Sequence, residues 1–136
     1  QKCKLVEQKI SDSAKLNGSR PTSIYLCRTI SVQITGGNAC GFVVTIPDHN
    51  VVIYHAGDTN VFSAMIVIDE LYKPTVAMLP IGDCLGMGPR EAAYAVKNFL
   101  ATPEKVIPMH FNSFPVLTGT PEEFEHQCKF MGVIGK

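Results

Sequence analysis

The chain has 136 residues, of which 46% are hydrophobic and 18% are charged, a composition that supplies enough apolar side chains for one folded domain. Lysine plus arginine and aspartate plus glutamate both number 12, so no net charge favours nucleic acid or an anionic membrane as a partner. The five cysteines include no CxxC pair, a pattern that favours reduced thiols in a cytoplasmic protein over a disulfide framework.

The composition and the distribution of apolar residues predict a single domain over 1–136. Residues 1–22 are polar with weak periodicity, and we expect them to be poorly structured or to form an edge segment. No apolar stretch approaches the roughly 18–20 residues of a membrane span, and the first residues lack the apolar centre of a signal peptide. The sequence therefore predicts neither a membrane partner nor secretion.

The residue pattern of the first half of the chain predicts strands. Alternating and β-branched residues predict a long strand over 23–35, which "GGNACG" interrupts before a second strand over 42–46. The residues "PDHN" form a short turn, and the apolar run 51–55 follows it. The last two strands therefore form a predicted hairpin.

The second half alternates helices and strands. Apolar spacing predicts a helix over 61–72 that begins after a cap at Thr59 or Asn60, and the apolar run 75–83 predicts a strand buried on both faces. A helix follows that has Pro89 at its first position.

The last predicted strand and helix complete this pattern. The strand covers 104–110, where Pro108 indicates a sheet edge or a bulge. The helix begins at a capping box from Thr120 to Glu123 and ends at Gly132. The alternation predicts an α/β fold in which helices cover a mixed sheet.

Polar side chains stand at the predicted ends of three strands. They belong to His55 and Asp58, to Asp83 and to His110. Carboxylate and imidazole groups bind Zn²⁺, Mn²⁺ or Fe²⁺, and Asp58 and His110 could meet if their strands were neighbours with aligned ends. Each also has a structural interpretation: Asp58 as a turn former, His110 as a hydrogen-bonded histidine, His55 as a core residue and Asp83 as a residue that orders its loop.

Other motifs carry less weight. The stretch "TGGNACG" lacks the GxxxxGK[ST] pattern and precedes a strand, so it does not predict a phosphate-binding loop. Ser113 follows His110 closely, but no GxSxG elbow surrounds it. His49 and His126 are expected to be solvated.

Taken together, the blocks "YHAGDT", "LPIGD…MGPREAA" and "IPMHFNSFP" resemble the metallo-β-lactamase superfamily. Within it, the chain is most similar to the metal-dependent hydrolases related to L-ascorbate-6-phosphate lactonase. The resemblance covers about residues 36–126. It implies an αββα sandwich with one or two metal ions at the edge of its two sheets.

The resemblance also implies roles for two of the four candidate residues. Asp58 corresponds to an aspartate that can bridge two metal ions and act in catalysis, and His110 corresponds to a ligand of the second ion. The family pattern gives His55 no ligand role, and we expect His55 and Asp83 to lie behind the ligands and support them. The ions would be Zn²⁺, or Mn²⁺ or Fe²⁺, and a metal-activated hydroxide would attack the substrate.

One departure from the family pattern limits these expectations. The histidine-rich HxHxDH signature that supplies most ligands is absent, because the four histidines are His49, His55, His110 and His126. The chain thus resembles the C-terminal half of the domain, and we expect metal binding by this half alone to be weak or absent. Half a sandwich would expose one face of its sheet. We therefore expect either a fragment that pairs with a missing N-terminal half or a homo-oligomer formed through that face.

Two functional interpretations remain open at this stage. The first is a hydrolase that cleaves an ester, lactone, amide or phosphodiester in a small-molecule substrate. The second is a truncated or degenerate relative without catalytic activity, which serves as a scaffold or interaction domain. An HxHxDH segment encoded upstream of Gln1 would favour the first interpretation, and a gene that begins at Gln1 would favour the second.

Overall fold

The computed structural model describes residues 21–25, 40–84 and 86–133, with the first of these segments described as backbone only. The predicted strand residues 26–35 and most of the predicted edge segment, 1–20, lie outside the described residues. The described strands are β1 Pro21–Tyr25, β2 Gly41–Ile46, β3 Val51–His55, β4 Val76–Pro80 and β5 Lys105–Met109. The described helices are α1 Met65–Tyr72, α2 Pro89–Asn98 and α3 Pro121–Phe130, and a 3₁₀ turn covers Pro47–His49.

The strands form one mixed sheet in the order β1-β2-β3-β4-β5. The pairs β1–β2 and β2–β3 are antiparallel, whereas β3–β4 and β4–β5 are parallel. Parallel neighbours need a crossover connection, and α1 and α2 provide the two crossovers. Two crossovers of the same hand that step in the same direction place both helices on one face of the sheet. The predicted α/β class is confirmed.

The β2–β3 hairpin is confirmed, with Ile46 paired to Val51. Its turn closes through the Asn50 amide, which donates to the Pro47 carbonyl over 3.1 Å. Asn50 adopts a left-handed conformation with φ of 51°, which asparagine tolerates better than most residues.

A single core fills the space between the sheet and the helices. Alternate residues of the central strands face it, including the fully buried Ala77 and Leu79 of β4. From the helices, Met65 and Ile68 of α1 and Phe124 of α3 join the same cluster. Because strand side chains alternate between faces, this arrangement assigns the neighbouring residues to the opposite face.

That opposite face is apolar and less buried. One row across the sheet consists of Phe42, His55, Met78 and Ile107, which are register partners on β2, β3, β4 and β5. The first three are half-buried, and Ile107 is 45% exposed. The sequence predicted that β4 is buried on both faces. The face that meets the helices is fully buried, whereas Met78 on the opposite face is only half-buried.

The boundaries of α2 and α3 follow their local signals. Pro89 is the first residue of α2, as predicted. The Thr120 side chain caps α3 by accepting a hydrogen bond from the Glu123 amide over 3.2 Å, which confirms the cap. Pro108, which has no amide hydrogen, lies in β5, an edge strand of the described sheet.

The predicted start of α1 is wrong. The helix begins at Met65, after the cap position Ala64, and neither Thr59 nor Asn60 caps it. The Thr59 hydroxyl donates to the Asn60 carbonyl, and the Asn60 side chain accepts from the Val61 amide over 2.7 Å. These local bonds stabilise a non-helical segment instead of a helix terminus.

Among the described residues, no helix combines the length and the apolar character that crossing a bilayer requires.

Candidate metal centre

Three parallel strands end at the same edge of the sheet. His55 at the end of β3 pairs with Met78, and Pro80 at the end of β4 pairs with Met109 at the end of β5. The chain then leaves each strand in a loop at this edge. Adjacent strands lie about 4.8 Å apart, so the ends of β3 and β5 are about 10 Å apart with β4 between them.

Asp58 and His110 meet across this gap. The Nε2 atom of His110 lies 3.9 Å from Oδ2 of Asp58, and their side chains are 36% and 52% exposed. The sequence-based condition that their strands be neighbours is not met, because β4 lies between them. The two side chains instead approach each other over the end of β4. This is possible because Asp58 lies three residues beyond the end of β3.

The turn after β3 directs Asp58 to this position. The Ala56 amide donates to the Met78 carbonyl over 3.0 Å, which extends the β3–β4 pairing by one residue. Gly57 then adopts φ of 72°, and a Cβ atom there would lie 1.9 Å from the Cys40 carbonyl oxygen. Both the conformation and the close approach require glycine.

His55 lies at the base of the same turn. It is half-buried, and its Nδ1 atom accepts a hydrogen bond from the Gly57 amide over 3.1 Å. Its hydrogen bond is thus with the backbone that leads to Asp58.

Asp83 occupies the loop after β4 and does not join the pair. Its side chain is exposed, and its Oδ1 atom accepts from the Cys84 amide over 2.8 Å. The loop itself does reach the pair, because a Cβ atom on Gly86 would lie 3.1 Å from Oδ1 of Asp58. Sequence reasoning missed Gly86: the glycines of "CLGMG" signal a loop, but nothing in their spacing says which one approaches Asp58.

His110 is held by the backbone on the other side. It follows β5 with φ of 54°, and the Ile81 amide donates to the carbonyl of Met109 just before it over 3.0 Å. A Cβ atom on Gly82 would lie 2.1 Å from the His110 carbonyl oxygen, so the two loops are packed backbone to backbone. The imidazole is therefore presented from a closely fitted turn.

The pair fits two positions of a divalent metal ion. Two ligand atoms about 2.1 Å from a tetrahedral metal are about 3.4 Å apart, so the observed 3.9 Å separation needs only a small side-chain rotation. A catalytic zinc site uses three protein ligands. In the described ranges no group of three or more histidine, cysteine, aspartate or glutamate residues could hold a metal, so the donor chemistry fits and the number of donors is incomplete.

A surface cavity of about 320 Å³ lies near the start of α2. Val61, Arg90, Glu91 and Tyr94 line it. Neither member of the Asp58–His110 pair lines this cavity, so we assign the candidate site by the pair and not by the cavity.

The mixed sheet, the helices on one face and a histidine–aspartate pair at the carboxyl edge define an α/β protein with a candidate pair of metal ligands. A family model described as a β-lactamase superfamily domain matches residues 4–111, which include both members of the pair. The chain belongs to this family.

Relatives and solved structures agree with this assignment. A metal-dependent hydrolase of Koribacter versatilis is 55% identical over 92 residues, which cover 68% of this chain and 38% of that protein. One from Rubrobacter xylanophilus is 42% identical over 127 residues, covering 89% of this chain and 51% of the relative. The structure of a metallo hydrolase from Ignicoccus hospitalis matches with a TM-score of 0.66 and 35% identity, covering 94% of this chain and 52% of that chain. The chain thus spans about half the length of these proteins or less.

Proposed function

We propose that this chain supplies Asp58 and His110 to the metal site of a metal-dependent hydrolase. The observation that carries the proposal is the 3.9 Å approach of the two side chains over the end of β4. Relatives that bear the name metal-dependent hydrolase support it. The ion would be Zn²⁺, Mn²⁺ or Fe²⁺, since imidazole nitrogen and carboxylate oxygen bind all three.

The two residues have separate tasks in this proposal. A bound divalent ion supplies Lewis acidity and lowers the pKa of water for attack on an ester, lactone, amide or phosphodiester. Asp58 offers two carboxylate oxygens from an exposed position, which suits an aspartate that orients one ion or bridges two. His110 binds through Nε2, the atom that faces Asp58. The substrate would be a small molecule, and the cytoplasm suits the free thiols of Cys40, Cys84 and Cys128, the described cysteines.

The remaining ligands would come from polypeptide beyond the described residues. A second half of the domain, or a second copy of this chain, would cover the apolar face that carries Phe42, Met78 and Ile107 and would complete the site. The shorter length of the chain relative to its relatives supports the first of these partners. We expect the chain alone to bind zinc weakly, with less than one ion per chain after purification.

A second candidate function is that of a scaffold or interaction domain without a metal of its own. The incomplete set of ligands among the described residues favours it. The two candidates differ in one measurable property, because only the first requires that Asp58 and His110 contribute to zinc affinity.

The test measures zinc dissociation constants by competition with a chromophoric chelator. The variants are Asp58→Asn and His110→Gln, and their matched controls are Asp48→Asn and His49→Gln. The controls carry the same chemical changes in the exposed turn at the other end of the β2–β3 hairpin.

We expect each site variant to weaken zinc binding by at least about 10-fold while the control variants bind like the parent chain. Equal affinities of Asp58→Asn and Asp48→Asn would remove Asp58 from the site. A parent chain that binds no zinc at all would favour the scaffold.

A further inference from the structure

The Gly57 amide is one of two consecutive amides that are fixed before the chain reaches Asp58. The Ala56 amide is bound by β4 through the Met78 carbonyl. The Gly57 amide lies beyond the strand pairing, and the ring of His55 accepts its hydrogen through Nδ1 over 3.1 Å. The side chain of His55 thus supplies the hydrogen-bond acceptor that the sheet no longer supplies at Gly57.

The direction of this hydrogen bond defines the state of the His55 ring. A nitrogen that accepts a hydrogen bond carries no proton, so a neutral ring has its proton on Nε2. Neither nitrogen then has a free lone pair for a metal ion. In this arrangement His55 acts on the backbone and is not a ligand.

The bond acts at the residue that sets the direction of Asp58. Gly57 has φ of 72° and packs against the Cys40 carbonyl, so its conformation turns the chain away from the β3 axis. Without an acceptor at position 55, the peptide between Ala56 and Gly57 could rotate, because glycine has wide conformational freedom. Rotation there would swing the Asp58 carboxylate away from His110.

We propose that His55 is a positioning residue that holds Asp58 beside His110 through the Gly57 amide. The proposal rests on the proposed function, since it assigns His55 a part in metal affinity. Partners that orient a metal ligand typically contribute about 10–100-fold to metal affinity. We expect the lower end of this range, because His55 acts through a backbone turn.

Three variants at position 55 distinguish the effect of the hydrogen-bond acceptor from the effect of the imidazole ring. His55→Asn places a side-chain oxygen near the position of Nδ1 and keeps an acceptor for the Gly57 amide. His55→Gln moves the acceptor outward to the region of Nε2, and His55→Leu has none. His49→Leu in the exposed hairpin turn is the matched control.

The experiment combines three measurements on the full chain. Amide hydrogen exchange at Gly57 is measured by NMR without metal, zinc affinity by chelator competition, and the melting temperature by circular dichroism. We expect faster Gly57 exchange and about 10-fold weaker zinc binding in His55→Leu and His55→Gln. His55→Asn should restore both properties, and His49→Leu should leave both unchanged. The melting temperature shows whether a loss of affinity merely follows a loss of stability. If it falls equally in His55→Leu and His55→Asn while only His55→Leu loses zinc affinity, the loss of affinity comes from positioning.

Several outcomes would overturn the proposal. Zinc binding by His55→Leu as tight as in the parent chain would show that the residue does not position Asp58. Equal losses in His55→Asn and His55→Leu would show that the ring itself is needed, as for a direct ligand. If the parent chain binds no zinc, the result favours the scaffold over the proposed function. The positioning role is then decided by the metal-free measurement, and unchanged Gly57 exchange in His55→Leu overturns it.

Discussion

Substitution of Gly57 by alanine tests the turn that presents Asp58. The added Cβ atom would lie 1.9 Å from the Cys40 carbonyl oxygen, whereas non-bonded atoms prefer about 3.5 Å, so the backbone must move by roughly 1.5 Å. A left-handed alanine costs about 1–2 kcal/mol, and a forced shift in a packed region adds about 1–3 kcal/mol. We expect a total loss of about 2–5 kcal/mol in the free energy of unfolding, the sum of these two costs.

Gly132→Ala is the matched control. Gly132 also has a positive φ, of 75°, but nothing lies within 4 Å of its hypothetical Cβ atom. The Gly132→Ala variant should therefore lose only the cost of the left-handed conformation, about 1–2 kcal/mol in the free energy of unfolding. With an unfolding entropy of about 2 cal/mol/K per residue, the two losses correspond to falls in melting temperature of about 7–17 °C and about 3–7 °C. Thermal unfolding followed by circular dichroism measures both, and equal falls would refute the close approach of Gly57 and Cys40.

The other predictions concern α1, α3 and their neighbours. Thr102 donates its amide and its hydroxyl to the buried Asp69 carboxylate, so Thr102→Val should cost about 1–3 kcal/mol in urea unfolding, and Thr102→Ser should recover most of it. Thr120→Ala should cost about 1 kcal/mol by removing the cap of α3, whereas a Thr120→Ser variant as unstable as Thr120→Ala would contradict the cap. Burial raises the pKa of the Cys128 thiol, so its iodoacetamide alkylation near pH 8 should be slower than that of the exposed Cys84. Because the pKa of this thiol is higher in the folded chain than in the unfolded chain, its contribution to stability is fully present below the pKa of the unfolded state. That contribution is lost as the pH rises through the pKa of the folded state.

Local signals were sufficient to predict α2 and α3. The proline at the first position of α2 and the cap at Thr120 act within one helical turn, so they can be recognised without knowledge of the rest of the fold. The strands of the hairpin were equally accessible, because their apolar residues alternate and a turn of suitable residues separates them.

The start of α1 was not predictable in the same way. Val61 and Phe62 have helical spacing with the later apolar residues, yet they pack against the core from a non-helical segment. A periodic pattern records only which side chains are buried, and an extended chain that passes over the core can bury the same side chains. Hydrogen bonds among Thr59, Asn60 and Val61 then favour the non-helical conformation.

The candidate site shows a similar division. Polar residues after buried strands indicated Asp58 and His110, because loops at the carboxyl edge of parallel strands converge. The sequence could not show that β4 separates their strands, since strand order is a property of the whole sheet. It also could not show that Gly86 approaches Asp58, because that contact joins two loops through space.

The backbone at this edge is held in conformations that residues with side chains seldom adopt. Asp83, Cys84 and His110 all have φ between 54° and 66°, and such conformations cost of order 1–3 kcal/mol each. Packing compensates for this cost: the His110 carbonyl fits against Gly82 so closely that no Cβ atom could be accommodated there. Such packing does not depend on a metal ion, so the Asp58–His110 pair should be present in the metal-free chain. Completing the proposed metal site would then require only further ligands, without refolding of the edge.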